Sequence, residues 1–307
     1  MDHNAELREF LRTRRARLSP QDAGVPVSGT ARRVPGLRRE ELARLAGVST
    51  DYYTRLEQGR DLNVSETVLD AVARALRLDE SERTYMFELA RHRPHQARHR
   101  AGRVQRVRPE VRRVLEALDG RSPAFVIGRH GDILASNRLA RALITDFEAL
   151  PHRERNMIRF MFLDEAAREL YREWDQYAAD MVASLRFEAA RNPDDRRLSE
   201  LVGELTIKSP EFRTWWDDHA VREKTKGVKL YHHPVVGDMT LSYENVSFPG
   251  DAGQSMCIYT VEPGSPSEAA LQLLANWTTT NADKPRPDGR RPTQRPEASE
   301  APARDAG

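Results

Sequence analysis

Residues 47–60, GVSTDYYTRLEQGR, place hydrogen-bonding side chains between positions that suit a small apolar core. If a helix begins near Thr50, Tyr53 and Leu56 lie three residues apart and face inward. The side chains that then point outward all donate or accept hydrogen bonds: Thr50, Asp51, Tyr52, Thr54 and Arg55. Hydroxyl, carboxylate and guanidinium groups are the ones that recognise base edges. The spacing therefore predicts an exposed helix face that fits the major groove of DNA.

The preceding residues, REELARLAG, supply the elements that hold this helix in place. Leu42 and Ala46 share one face of a first helix, and the small Ala43 beside them lets another helix cross closely. Gly47 permits the tight turn between the two helices, and Ser49 caps the second helix. Two short helices joined in this way predict a helix-turn-helix motif.

The composition limits the class of protein. The chain has 307 residues, enough for two modest domains, and no apolar run approaches the roughly 20 residues that cross a bilayer. The N-terminal MDHNAELREF lacks the features of a secretory signal and Cys257 is the single cysteine, so a reducing cytoplasm is predicted. The net charge is +2, but residues 1–110 carry 22 arginines against 16 acidic residues. A basic segment of this kind is more often a solvated surface than a nucleic-acid site, so the motifs must decide between the two.

The chain divides where its composition changes. Residues 1–92 read as short helices with polar turns, which predicts an all-α domain. Residues 93–108 are basic and nearly free of large apolar side chains, as in a linker. A different pattern fills residues 109–278. Residues 279–307 are rich in proline, arginine, alanine and acidic side chains and contain no aromatic residue, which predicts a disordered tail.

The segment 109–278 mixes helices with strands. Two apolar runs flank a His-Gly-Asp turn in AFVIGRHGDILASN, which predicts a β-hairpin. Apolar residues recur at steps of three or four from Leu163 to Leu185 and predict one long helix. Three later runs, GVKLYHHP, GDMTLSYENVSF and QSMCIYTVEP, are rich in β-branched and aromatic residues and predict strands. This order favours an α+β second domain.

One spaced set of residues between positions 41 and 60 forms a motif of its own: E-L-A, a turn with G-V-S, and then R-L-E-x-G-R. It is matched by Glu41, Leu42, Ala43, Gly47, Val48, Ser49, Arg55, Leu56, Glu57, Gly59 and Arg60. On these residues the N-terminal domain resembles the lambda-repressor-like helix-turn-helix regulators of the xenobiotic-response-element type. The resemblance implies a five-helix domain that binds double-stranded DNA.

The same resemblance implies roles for individual residues. The outward positions of the second helix read base edges, and Gln58 and Arg60 hold phosphates. The DNA-binding set is therefore Ser49, Thr50, Asp51, Tyr52, Thr54, Arg55, Gln58 and Arg60. Glu57 corresponds to an acid that pairs with an arginine of the first helix, either Arg14 or Arg15, of which we assign Arg15. The loop SPQDAGVPVSGTARRVPG departs from the minimal pattern, and its Arg32 and Arg33 either contact DNA or are solvated.

The remaining blocks are GDILASNRLARALI, MFLDEAARELYREWDQYAADMVASLR, SPEFRTWWDDHAV and KLYHHPVVGDMTLSYENV. Together they resemble the PAS-like ligand-binding domain of MmyB-like transcription regulators. This resemblance implies a pocket for a fatty acid or a similar small apolar molecule, and no other cofactor. Such a pocket is lined by aromatic and methionine side chains with a polar group for the head of the ligand. The predicted lining is Phe125, Phe160, Trp174, Met181 and Trp216, with Arg186 or His219 as the head-group partner, although an aromatic stripe is also ordinary core.

Other groups of polar residues are not predicted to form a catalytic or metal centre. His92, His95 and His99 lie around Pro94 in an arginine-rich segment without a cysteine or carboxylate, which argues against a metal site. His232 and His233 point to opposite faces of a strand, so at most one faces a pocket. The acidic residues of WDDH have no base or nucleophile beside them and indicate a helix end. The sequence therefore predicts a protein that is not an enzyme.

Together these patterns predict a sequence-specific transcription regulator that senses a small molecule. A single helix-turn-helix buries little surface, so we expect a homodimer on a two-fold operator with half-sites about one helical turn apart or a multiple of it. We expect the effect of ligand binding to reach the DNA-binding domain through residues 93–108 and the helix PEVRRVLEALDG. Two alternatives remain: an enzyme fused to a DNA-binding domain, and a DNA-tethered adaptor whose C-terminal domain docks a partner protein.

Overall fold

The computed structural model describes residues 3–26, 36–60, 64–90, 105–222, 225–248, 250–251 and 253–280. Most of the predicted linker, the loop arginines Arg32 and Arg33, the three histidines around Pro94 and residues 281–307 of the predicted tail lie outside these ranges. The start of the predicted disordered tail is wrong, because Thr279 and Thr280 are the last two residues of a helix.

The described part of the N-terminal domain contains helices and turns and no strand. Its helices are α1 (His3–Arg17), α2 (Arg39–Ala46), α3 (Thr50–Glu57), α4 (Glu66–Ala75) and α5 (Glu80–Ala90). Helix α2 packs against α3 and α4, and α1 packs against α3 and α5. Buried apolar residues from all five helices meet in one core, with Phe10, Leu42, Tyr53, Val72 and Met86 among its most buried members. The prediction of a five-helix domain agrees with this arrangement.

The C-terminal domain adds eight α-helices, three short 3-10 helices and five strands within the described residues. The helices are α6 (Pro109–Ala117), α7 (Arg138–Leu143), α8 (Met157–Leu163), α9 (Glu165–Leu170), α10 (Trp174–Arg191), α11 (Arg196–Lys208), α12 (Pro210–Asp217) and α13 (Pro266–Thr280). The strands are β1 (Ala124–Ile127), β2 (Ile133–Ser136), β3 (Lys226–His233), β4 (Gly237–Ser247) and β5 (Ser255–Thr260). An all-α domain followed by an α+β domain confirms the predicted fold class.

The five strands form one antiparallel sheet in the order β2-β1-β5-β4-β3, so β3 is an edge strand. One face of the sheet contributes to the large core under α7 to α13, with Phe125, Tyr231, Leu241 and Tyr259 buried there. The opposite face, at the β1–β2 end, packs against the buried Val111 and Leu115 of α6. The strands alternate their side chains between the two faces, as the period of two requires, except in β2, where a register shift opposite Val126 and Ile127 places Ile133 and Ala135 on different faces.

The long helix predicted from Leu163 to Leu185 is wrong. The chain forms α9 and α10 instead, and Tyr171 between them is extended, with φ −99° and ψ 113°. Tyr171 forms an antiparallel bridge with Tyr231 of β3, and the amide of Arg172 donates to the carbonyl of Leu230 at 3.1 Å. Hydrogen bonds to the sheet edge therefore replace helical ones at this point, although the apolar period runs through it.

Candidate nucleic-acid interface and candidate ligand site

Helix α3 presents a polar face to solvent with the whole described chain in place. Its inward residues Tyr53 and Leu56 are almost fully buried. Of the predicted DNA-binding set, Tyr52 and Thr54 are partly buried and the others are exposed: Ser49, Thr50, Asp51, Arg55, Gln58 and Arg60. The guanidinium of Arg55 lies 6.0 Å from the ring centroid of Tyr52. The C-terminal domain therefore leaves this face accessible.

Local interactions define both ends of the turn before α3. Gly47 ends α2 in the left-handed conformation, with φ 68°, which glycine adopts without steric cost. The hydroxyl of Ser49 accepts a hydrogen bond from the Tyr52 amide at 3.1 Å and so caps α3. At the start of α2, the carboxylate of Glu41 accepts from the amide of Arg38 at 2.7 Å. These contacts fix where each helix of the motif begins.

A buried carboxylate ties α3 to α1 and α2. Glu57 is 1% exposed and accepts two hydrogen bonds from Arg15, at 2.7 and 3.0 Å. Arg39, which the sequence did not single out, donates to the same carboxylate at 2.7 Å. Burial raises the pKa of Glu57, but the hydrogen bonds from Arg15 and Arg39 outweigh burial and hold the pKa below its usual value. Arg15, rather than Arg14, is the partner in the structure.

The two domains meet at a buried polar network, which we call the domain junction and define as Glu6, Tyr85, Arg186, Trp216 and His219. Arg186 of α10 is completely buried and donates to the carboxylate of Glu6 and to the carbonyl of Trp216. The hydroxyl of Tyr85 donates to Glu6 at 2.7 Å, and His219 Nδ1 lies 3.1 Å from the same oxygen. The network joins α1 and α5 of one domain to α10 and the end of α12 in the other.

Electrostatics at the domain junction favour an ionised Glu6. Burial raises the pKa of its carboxyl, but the hydrogen bond with His219 and the charge of Arg186 outweigh burial and lower the pKa to about 2. His219 has a φ of 51°, a left-handed value that is uncommon outside glycine. Its carbonyl accepts from Arg14 at 3.0 Å, so the strained residue is held by contacts on two sides.

The structure places the predicted ligand-pocket residues in the large core and at the domain junction, and Trp216 contacts both. Phe125, Phe160 and Trp174 are buried in the large core, and the partly buried Met181 packs against that core. The indole of Trp174 donates to the carbonyl of Met161 at 2.9 Å. Arg186, Trp216 and His219 meet at the domain junction, where the guanidinium of Arg186 lies 4.2 Å from the ring centroid of Trp216. There, Arg186 and His219 already contact the carboxylate of Glu6.

A cluster that the sequence reasoning missed lies on the covered face of the sheet. We call it the lysine–tyrosine cluster and define it as Lys229, Tyr171, Tyr231, Tyr243 and Tyr259. The ammonium of Lys229 lies 5.1 to 5.7 Å from the ring centroids of Tyr243, Tyr171 and Tyr259, and it donates to the Tyr259 hydroxyl at 3.2 Å. The sequence could have indicated this cluster through strand alternation, because Lys229 lies on the same face of β3 as the buried Tyr231 and His233.

The other histidine and acidic residues that the sequence raised contact neighbouring groups of the described chain. His233 is buried and its Nε2 lies 2.9 Å from the carbonyl of Ala142, whereas His232 is exposed beside Asp238. Asp217 is the last residue of α12 and Asp218 is its C-terminal cap. No group of three or more potential metal-ligating side chains occurs within the described ranges. None of the described helices has the length and apolar character to cross a bilayer.

Comparison with known families identifies both domains. Residues 107–274 match the model of the MmyB-like transcription regulator ligand binding domain, and residues 6–86 match a model of a helix-turn-helix domain. No curated protein matches the chain. The two matches define a ligand-modulated, DNA-binding transcription regulator. The chain belongs to the family of MmyB-like transcription regulators, as the sequence motifs indicated.

Proposed function

We propose that the protein binds a specific operator as a homodimer in the cytoplasm and that a small apolar ligand, such as a fatty acid, controls this binding. In this proposal Ser49, Thr50, Asp51, Tyr52, Thr54 and Arg55 approach base edges, while Gln58 and Arg60 hold phosphates. One observation carries it: the polar side of α3 is exposed although the C-terminal domain packs on the same N-terminal domain.

The C-terminal domain acts as the sensor in this proposal and has no catalytic role. Phe125, Phe160, Trp174 and Met181 supply the apolar surroundings of the ligand, because they belong to or pack against one continuous core. A ligand changes DNA affinity only if it binds one domain arrangement more tightly than another. The domain junction offers a route between the sites, since α10 contributes both to that core and to the contact with Glu6. We keep a second predicted route for the coupling of ligand binding to DNA binding, which runs through residues 93–108 and α6.

Footprinting of the full chain on its own upstream DNA, with and without a lipid extract, tests the proposal. We expect protection of two half-sites about one helical turn apart, or a multiple of it. The protein concentration that gives half-maximal protection should change when the extract is added. Sedimentation analysis should show a dimer at micromolar concentration. A monomer with and without DNA, or protection independent of DNA sequence, would contradict the proposal.

The second candidate is a DNA-tethered adaptor that docks a partner protein through its C-terminal domain. Its support is apolar exposure: Ile207 on α11 is 83% exposed and Leu273 on α13 is 62% exposed. Exposed apolar side chains mark interaction sites when they form a contiguous patch. If the lipid extract leaves operator binding unchanged and a partner protein changes it, the adaptor is the better description.

A further inference from the structure

A polar cleft of about 190 Å³ opens in the C-terminal domain between the β1–β2 turn, the segment before α8 and the start of α11. We call it the arginine cleft and define it by Arg153, Arg159 and Arg197, which line it. Among the described residues of its lining, Leu201 alone is apolar, and none belongs to the domain junction. A cleft of this composition offers no surface to the apolar body of a lipid, but it suits a compact hydrophilic molecule.

A buried amide forms the floor of the arginine cleft. Asn156 is 2% exposed and donates to the carbonyl of His130 at 2.8 Å and to the carboxylate of Asp132 at 2.9 Å. Its oxygen accepts from two amides at the start of α8, at 2.9 and 3.0 Å. The imidazole Nε2 of His130 lies 3.0 Å from the carboxylate of Asp195, which caps α11. These contacts join the three elements of the cleft before any ligand is present.

The β1–β2 turn above this floor has an unusual backbone. His130 adopts φ 62° and ψ 16°, a left-handed conformation that is uncommon outside glycine. Gly131 follows with φ 82°, and a Cβ there would lie only 2.8 Å from Cγ1 of Ile158. Such conformations persist where the surrounding contacts impose them, and they cluster at ligand sites. The turn is therefore held closely against α8.

Both carboxylates that line the arginine cleft already contact other side chains. Asp132 accepts from the amide of Asn156. Glu200 pairs at 2.8 Å with Arg196, which does not line the cleft. Negative charge inside the cleft is thus engaged by groups that a ligand would not have to displace.

The guanidinium groups of the cleft are not balanced in the same way. Arg159 contacts Glu204, but Arg153 and Arg197 have no acidic partner within the described ranges. A single exposed arginine is usually only solvated. Two arginines from separate elements that line one cleft with a fixed floor form a site for an anion, because charge-assisted hydrogen bonds are stronger than neutral ones.

We infer that the arginine cleft binds a compact oxyanion with at least two negative charges, from a phosphate compound or a small dicarboxylate. Arg153 and Arg197 donate to it, since the planar guanidinium matches the oxygens of both groups. The cleft is smaller than the roughly 300–1,000 Å³ of sites for drug-sized ligands, so the anion is small. This site is separate from that of the proposed apolar ligand and gives the C-terminal domain a second ligand.

Calorimetric titration of the full chain at low salt, with pyrophosphate and with succinate, tests the inference. Arg153→Gln and Arg197→Gln each remove one guanidinium and keep a polar side chain. We expect each variant to weaken binding of the tighter probe by about 5- to 20-fold, because each removes hydrogen bonds to a charged group. The double variant should bind neither probe detectably.

Arg213→Gln is the matched control, since Arg213 is an exposed arginine of α12 that does not line the cleft. It removes the same charge and should change the affinity by less than about twofold. Glu200→Gln should act in the opposite direction and strengthen binding by about 2- to 5-fold, because it removes a negative charge from the lining.

Tighter binding of pyrophosphate would assign a phosphate compound, and tighter binding of succinate a carboxylate; both results support the site. Circular dichroism verifies the fold of each variant, and if one of the two arginine variants does not fold, the other decides. The inference is overturned if neither probe binds the wild type saturably, or if Arg213→Gln weakens binding as much as Arg153→Gln and Arg197→Gln do. Neither result would change the proposal for the operator and the apolar ligand.

Discussion

Arg186 donates a hydrogen bond to Glu6 across a distance of 180 residues in the chain, and both side chains are buried where the two domains meet. The pair is joined by Tyr85 and His219, so each of the two domains contributes two of these side chains. Burial of an unpaired charge costs free energy, so Arg186 and Glu6 must stay in contact for both to remain buried. The carboxylate of Glu6 is thus one of the groups that fix the relative position of the DNA-binding and ligand-binding domains, together with the apolar contacts of α10.

Glu6→Gln should destabilise the protein strongly, because it leaves the buried guanidinium of Arg186 without a carboxylate. Removing one partner of a buried ion pair costs about 3–5 kcal/mol. Urea denaturation of the full chain measures the change. Glu9→Gln is the matched control, since Glu9 lies on the same helix and pairs at the surface with the exposed Arg8 and Arg12. Similar midpoints for the two variants would show that the junction contributes little.

The stability of the wild type should fall at low pH as Glu6 takes up a proton. Its pKa is lowered from 4.5 to about 2 in the folded chain, so the stabilisation is complete above about pH 4.5 and is lost as the pH falls toward 2. A shift of this size corresponds to about 3 kcal/mol. Denaturation between pH 2 and 6 should show a smaller slope for Glu6→Gln than for the wild type. Parallel curves would contradict the prediction.

Arg15→Ala should cost more stability than Arg39→Ala, although both arginines contact the buried carboxylate of Glu57. The side chain of Arg15 is 12% exposed and bonds through two nitrogens, whereas that of Arg39 is 47% exposed and bonds through one. We expect a loss of about 3 kcal/mol for Arg15→Ala and under about 1 kcal/mol for Arg39→Ala. Thermal unfolding of the two variants measures both losses of stability. A larger loss for Arg39→Ala would make Arg39, and not Arg15, the main partner of Glu57.

Arg55→Ala and Arg60→Ala should affect DNA binding in different ways. Loss of a base contact at Arg55 should reduce operator affinity by about 1–3 kcal/mol and leave affinity for a nonspecific duplex nearly unchanged. Loss of a phosphate contact at Arg60 should weaken both duplexes and lower the slope of log affinity against log salt by about one. Arg74→Ala, an exposed change on α4, serves as the control. If Arg55→Ala lowered the affinity for both duplexes equally, Arg55 would be a phosphate contact.

Local sequence rules predicted much of the N-terminal domain. The alternation of inward Tyr53 and Leu56 with outward polar residues depends only on helix geometry, and the turn at Gly47 depends on its freedom to adopt a positive φ. The Arg15–Glu57 contact followed from the family motif. Arg39 was missed because nothing in the sequence shows that the start of α2 lies beside the end of α3.

The C-terminal domain shows where such rules fail. Its hairpin and three later strands were predicted from composition and turns, but the break at Tyr171 was not. An apolar period of three to four continues through Tyr171, and the bridge to Tyr231 that interrupts the helix is a long-range contact. The contacts of the domain junction could not be predicted either, because Arg186 and Glu6 are far apart in the sequence. Without knowledge of that contact, Arg186 is a plausible partner for a ligand head group.

The core of the N-terminal domain is completed by residues from the other half of the chain. Phe187 and Ala190 of α10, together with Val221, are buried in the same cluster as the helices of residues 3–90. A truncated protein that ends near residue 90 would expose the apolar surface that these side chains cover. Exchange of this DNA-binding domain between related regulators would therefore require matching changes on α10, so the two halves are constrained to evolve together.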